Sequence, residues 1–99
     1  MPDLCKEIAK MGKGLGNENR YHILESLMGD AKTVSEISRK VGIAQPAVSQ
    51  NLKILKEADL VTAKRKGKEV YYSINVTYMT KLLRRLAEDV GKNKQNKIK

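Results

Sequence analysis

The sequence predicts a mainly α-helical domain that carries one small β-hairpin late in the chain. Apolar residues recur at steps of three and four through most of its length, the signature of helices with one buried face. One stretch breaks that pattern, where two runs with β-branched residues, the second also bearing two tyrosines, flank Lys66-Gly67-Lys68-Glu69. Aromatic residues make up 4% of the chain against 40% hydrophobic residues in all, so the core must be aliphatic. At 99 residues the chain holds enough material for one domain.

The first helix is expected over residues 3–13, where Leu4, Ile8, Met11 and then Leu15 define one face before Gly12, Gly14 and Gly16 end it. Asn17 is a good N-cap and Glu18 suits the positive end of a helix dipole. Tyr21, Ile23, Leu24, Leu27 and Met28 then line a second helix that stops at Gly29-Asp30. Thr33-Val-Ser-Glu36 has the form of a capping box, in which the threonine hydroxyl accepts an orphan N–H and the glutamate reaches back to the cap. Val34, Ile37 and Val41 carry this third helix to Gly42.

A tight connection, Gly42-Ile43-Ala44-Gln45, leads to Pro46, whose fixed φ and missing N–H suit a helix's first position. Val48, Leu52 and Leu55 give the fourth helix, from Pro46 to Ala58, its buried face. Val61–Arg65 and Val70–Ile74 then form the hairpin, with a basic tip. Met79, Leu82, Leu83, Leu86 and Val90 mark a last helix from Val76 to Val90. Four helices, a hairpin and a fifth helix, with a tight turn between the third and fourth, are in the order of a winged helix-turn-helix.

The net charge is +9 and is unevenly placed. Residues 32–68 hold nine basic and three acidic side chains, whereas residues 1–31 hold four and five. Such an excess inside periodic segments is held on a defined surface, and favours nucleic acid as partner. The block 92–99 has four lysines and no acid, and is expected to be a disordered basic tail after a domain spanning 1–91, with nonspecific phosphate contact as the other reading. No stretch approaches the roughly 20 apolar residues of a membrane span, and a lone cysteine cannot form an intrachain disulfide. The expectation is a cytoplasmic protein that binds no membrane.

In such a module the second helix of the pair enters the major groove. Its outward positions are expected to be Gln45, Ala47, Ser49, Gln50, Asn51, Lys53 and Lys56. Glutamine and asparagine can bond adenine bidentately, serine bonds base or phosphate, alanine can touch a thymine methyl and lysine neutralises phosphate. Lys64, Arg65, Lys66 and Lys68 place positive charge on the wing, for the phosphate backbone or a minor groove. Any one polar helix face could merely be solvated. Here the turn, the preceding helix and the basic hairpin favour double-stranded DNA as partner.

These residues resemble the ArsR/SmtB family of bacterial and archaeal winged-helix repressors over roughly residues 4–90. The resemblance rests on Leu15-Gly-Asn-Glu-Asn-Arg20-Tyr-His-Ile-Leu24, Val34-Ser-Glu-Ile37, Gln45-Pro-Ala-Val-Ser49-Gln-Asn-Leu-Lys53-Ile-Leu55, Ala58-Asp-Leu-Val61, Lys64-Arg-Lys-Gly67 and Val70-Tyr-Tyr-Ser73. It implies a homodimer joined by the first and last helices, a palindromic operator and release by an inducer. The apolar stripes support the dimer independently: Leu4, Ile8 and Met11 on the first helix and Met79, Leu82, Leu83, Leu86 and Val90 on the last exceed what a small trihelical core covers. Packing of the two helices on each other within one chain is the alternative.

The resemblance also implies where metal ligands would sit, and this sequence departs from it there. The two cysteine positions flanking the valine of the third helix hold Thr33 and Ser35, which offer no thiolate. The carboxylate and histidine positions near the last helix match Val76, Tyr78, Asp89 and Lys92, of which Asp89 alone could ligate. No metal site and no cofactor is expected, and His22 reads as a surface or packing residue. The inducer is then an unknown small molecule or an oxidant, or there is none. Cys5, beside Lys6 and present twice in a dimer, is the candidate redox residue, with a functionless surface thiol as the other reading.

An enzyme is not expected. There is no phosphate loop beside a strand and no histidine paired with a nucleophile, and Gly12-Lys-Gly-Leu-Gly16 follows a helix. The competing class is a winged helix that binds protein, or an architectural DNA-binding module without an inducer. A protein-binding version would carry an apolar surface where residues 45–56 are polar and basic.

Overall fold

The computed structural model describes residues 3–94. Its elements run α1 (Leu4–Leu15), α2 (Glu18–Ser26), α3 (Val34–Val41), α4 (Gln45–Glu57), β1 (Val61–Lys66), β2 (Glu69–Ile74) and α5 (Val76–Lys94). This is the expected order, and its caps are those that local chemistry favours. The Asn17 side chain accepts from Arg20 N–H, and Thr33 and Glu36 form a complete capping box. Gly42, in the left-handed region at φ +80°, ends α3.

Helices α2, α3 and α4 enclose the core, where Ile23, Ile37, Val48, Leu52, Leu55 and Leu60 are all fully buried. The two strands pair antiparallel from Val61 opposite Ile74 to Lys66 opposite Glu69. Lys32 and Tyr72 exchange backbone hydrogen bonds of 3.0 and 2.8 Å, so the entry to α3 adds a third rung beside the hairpin and roots the wing in the body.

Several boundaries differ from the sequence expectation. Helix α1 does not stop at its glycines but continues through Gly12 and Gly14 to Leu15. The reason at Gly14 is packing: a Cβ there would lie 2.8 Å from Cδ1 of Leu60, so the glycine lets α1 approach the corner between α4 and β1. Helix α2 ends at Ser26, before Met28, whose side chain is exposed. Helix α5 extends past the expected domain end at residue 91 to Lys94, and the remainder of the expected tail, residues 95–99, lies outside the described residues.

The residues expected at the dimer face fall into two groups. Met11 and Leu82 are buried inside the protomer, because α1 packs directly against α5. Leu4, Ile8 and Met79 are half-buried at its edge. Leu83, Leu86 and Val90 remain exposed, at 47%, 37% and 61%. Intrachain packing of α1 on α5 therefore accounts for part of the apolar stripe and leaves the rest of α5 uncovered.

Candidate nucleic-acid interface

Helix α4 is built to be held from behind. Val48, Leu52 and Leu55, at steps of four and three, are sealed into the core, which fixes the opposite side toward solvent. Gln45, Ser49, Gln50, Lys53 and Lys56 are exposed there, and none of the five makes a side-chain hydrogen bond or ion pair among the described residues. The helix-turn-helix connection is tight because Gly42 N–H bonds the Ser38 carbonyl at 2.9 Å while the Ser38 hydroxyl donates to the Ile43 carbonyl at 2.5 Å. No side chain caps the start of α4 at Ala44, and Pro46 has no N–H, which leaves the Gln45 and Ala47 amides as the donors at that end without a side-chain cap.

Two positions expected on this outward face are not on it. Ala47 and Asn51 are half-buried, and Asn51 is held against Arg20 of α2. The Asn51 amide nitrogen donates to the Ala47 carbonyl at 2.9 Å, and its Oδ1 accepts from Arg20 at 3.4 Å. The helical period alone could not reveal this, because Asn51 borders both faces of α4 and its fixing partner lies 31 positions away in sequence.

The wing presents its basic residues on both faces. Register pairs Lys64 with Tyr71, Arg65 with Val70 and Lys66 with Glu69. Successive side chains alternate, so Arg65 shares a face with Ala63 and Val61, and Lys64 and Lys66 share the other with Thr62. Gly67, at φ +62°, occupies the turn position that a two-residue hairpin reserves for a residue able to adopt positive φ. Tyr71 stiffens the tip: its hydroxyl donates to Glu69 at 3.2 Å, and the Lys66 ammonium lies 5.8 Å from its ring centre. The Glu69 carboxylate beside that hydroxyl raises the Tyr71 pKa above the usual phenol range. Lys64, Arg65, Lys66 and Lys68 are exposed.

Two basic residues that sequence reasoning did not single out, Arg39 and Lys40, are exposed on α3, with the Arg39 guanidinium 3.3 Å from the Ser35 hydroxyl. The Thr33 hydroxyl is occupied by the Glu36 amide at 3.2 Å. The Tyr78 hydroxyl donates to Glu7, linking α5 to α1. Cys5 is an exposed free thiol near the start of α1. Among the described residues, no three of His, Cys, Asp or Glu gather closely enough to hold a metal ion. None of the described helices is long and apolar enough to cross a membrane.

Comparison with known proteins gives this arrangement a context. Residues 17–63, from the cap of α2 into the first strand, match the family model described as bacterial regulatory protein, arsR family. The transcriptional repressor SdpR of Bacillus subtilis is 36% identical over 67 residues, which cover 68% of this chain and 74% of SdpR. The transcriptional activator HlyU of Vibrio cholerae is 34% identical over 77 residues, covering 75% of this chain and 71% of HlyU. Among solved structures, the homodimeric winged helix-turn-helix DNA-binding domain of Mb0332 from Mycobacterium bovis superposes with a TM-score of 0.70 at 31% identity. That match covers 91% of this chain and 86% of the other.

Proposed function

The chain belongs to the ArsR family of bacterial regulatory proteins, and is a DNA-binding winged-helix regulator and not an enzyme. From that premise we propose that it works as a homodimer on a palindromic operator, as a repressor, with α4 of each protomer in successive major grooves. The observation that carries this reading is the uncommitted outward face of α4. Gln45, Ser49, Gln50 and Lys53 are exposed, and unpaired among the described residues, on a helix whose other side is locked into the core.

Gln45 and Gln50 suit adenine, and Ser49 suits either a base or a phosphate. Lys53 and Lys56 continue the same side toward the backbone, where a lysine positions the protein without reading sequence. The Gln45 and Ala47 amides at the start of α4, which no side chain caps, favour a phosphate at that end. Lys64, Arg65, Lys66 and Lys68 would follow the flanking duplex, with Arg39 and Lys40 of α3 adding charge where the first helix of the pair crosses the backbone.

Repression follows from occupying a promoter in the cytoplasm, where the DNA is. An inducer, or an oxidant acting at Cys5 on α1, would act by changing the spacing or mobility of the two reading heads, because α1 and α5 join both protomers. Asn51 and Ala47 are secondary to this face, since both are half-buried and the Asn51 amide is engaged by Arg20 and the Ala47 carbonyl.

Substitution tests the reading role. Ser49→Ala and Gln50→Ala each relax sequence preference at one operator position, with a good base contact worth about 1–3 kcal/mol of discrimination. Competition binding with single-base operator variants measures this. A uniform loss on every duplex would contradict base reading by these two residues.

A further inference from the structure

Arg20 lies in the first turn of α2, yet its guanidinium belongs to the seam between α1 and α4. Its Nε donates to the Gly14 carbonyl at 2.8 Å and one terminal nitrogen donates to the Lys13 carbonyl at 3.1 Å. The other terminal nitrogen donates to Oδ1 of Asn51 at 3.4 Å, and the Asn51 amide is itself tied one turn back to the Ala47 carbonyl. The two carbonyls are in the last turn of α1, where no intrahelical donor reaches them and the helix dipole favours a cation. One planar side chain therefore spans the end of the dimerising helix and the middle of the reading helix.

Two further contacts fasten the same seam. The backbone of α1 at Gly14 approaches Leu60 and Ala58 so closely that a Cβ would stand 2.8 Å and 3.4 Å from them. One turn before, the Lys10 ammonium meets the Asp59 carboxylate at 3.0 Å, at the corner where α4 hands over to β1. The C-terminal end of α4 is thus seated on α1, and Arg20 acts nearer the middle of α4, through Asn51.

We propose that Arg20 is a positioning residue that fixes the roll of α4 relative to α1, so that Gln45, Ser49, Gln50 and Lys53 of both protomers face the DNA together. The proposal rests on the DNA-reading assignment above. The geometry is demanding, because a side chain reaches about 5–6 Å from the helix axis. A roll of about 10° therefore moves its tip by about 1 Å, enough to break a base hydrogen bond. The aliphatic core face of α4 resists such a roll only through packing, whereas the guanidinium fork sets a direction.

The test is binding to a selected operator and to a scrambled duplex by fluorescence anisotropy, over a range of salt. It compares the wild type with Arg20→Ala, Arg20→Lys, Asn51→Ala and the double variant Arg20→Ala/Asn51→Ala, and sedimentation reports the dimer. Arg20→Ala and Asn51→Ala are each expected to weaken operator binding about tenfold, the scale of one lost charge-assisted hydrogen bond. Scrambled-duplex affinity, salt slope and dimerisation are expected to stay unchanged, the double variant to bind no more weakly than Arg20→Ala, and lysine at position 20 not to rescue.

Additive losses would overturn the clamp, as would full rescue by Arg20→Lys. An equal loss on both duplexes with a shallower salt slope would make Arg20 a phosphate contact instead. If Arg20→Ala does not fold, Asn51→Ala decides: unchanged operator affinity, or an altered preference at a single base, overturns the proposal. A wild type that does not distinguish operator from scrambled duplex would sink the DNA-reading assignment itself and the clamp with it.

Discussion

Gly14 and Gly12 look alike in the sequence but differ in what surrounds them. At Gly14 a methyl group would run into Leu60, so Gly14→Ala is expected to cost about 1–3 kcal/mol as the core is overpacked. At Gly12 nothing lies within 4 Å, and Gly12→Ala is expected to stabilise the helix by about 0.5–1 kcal/mol. Urea unfolding midpoints should therefore move in opposite directions, and a shared direction would contradict the seam between α1 and the α4–β1 corner. Titration adds a second test. The hydrogen bond that Lys10 donates to the Asp59 carboxylate raises the Lys10 pKa, and burial together with the bond to Glu7 raises that of Tyr78. Above about pH 10 the native chain thus keeps protons that the unfolded chain has released, so stability falls as pH rises through that range. Tyr78→Phe removes one of these groups and is expected to flatten the alkaline limb of the unfolding midpoint; an unchanged limb would separate Tyr78 from it. Residue-level detail of this kind was the least legible part of the sequence. The glycines read as helix breakers, Asn51 read as a reading residue, and Arg20 carried no local signal, because its partners are two backbone carbonyls and a side chain from another helix.

Whole elements were legible where chemistry between near neighbours sets them. The Thr33–Glu36 capping box, Gly42 at the end of α3, Pro46 at the start of α4 and Gly67 in the hairpin turn all act within a few positions. Ends decided by tertiary packing were not. Helix α1 runs on past Gly12 to Leu15, with Gly14 seated against the corner of α4 and β1, and α5 runs on through Lys92 with no apolar spacing to announce it. The wing makes its own prediction. Arg65 and Lys68 are exposed on an element rooted by the Lys32–Tyr72 rung, so removing either should weaken binding to all duplexes alike. The slope of log affinity against log salt should flatten by up to about one unit for each lost phosphate contact. Titrations at several salt concentrations measure it, and an unchanged slope would take the wing out of the interface.

The molecule as a whole is elongated, with extents of 55 × 24 × 22 Å and a radius of gyration of 15.8 Å, against about 13 Å for a compact chain of this size. Helix α5 accounts for much of that, since 19 residues span about 28 Å. Met79, Leu83, Leu86 and Val90 follow one another along it at steps of four, three and four, a seam suited to a second copy of the helix. A dimer through this seam relates two α4 helices by a two-fold axis, and a two-fold protein reads an inverted repeat. The direct measurement is selection of bound duplexes from a random pool at near-physiological salt, with and without reductant, followed by sequencing. A two-fold dimer reading through α4 enriches an inverted repeat whose half-sites lie about one helical turn apart, roughly 34 Å. Binding that responds to salt but enriches no sequence would contradict it.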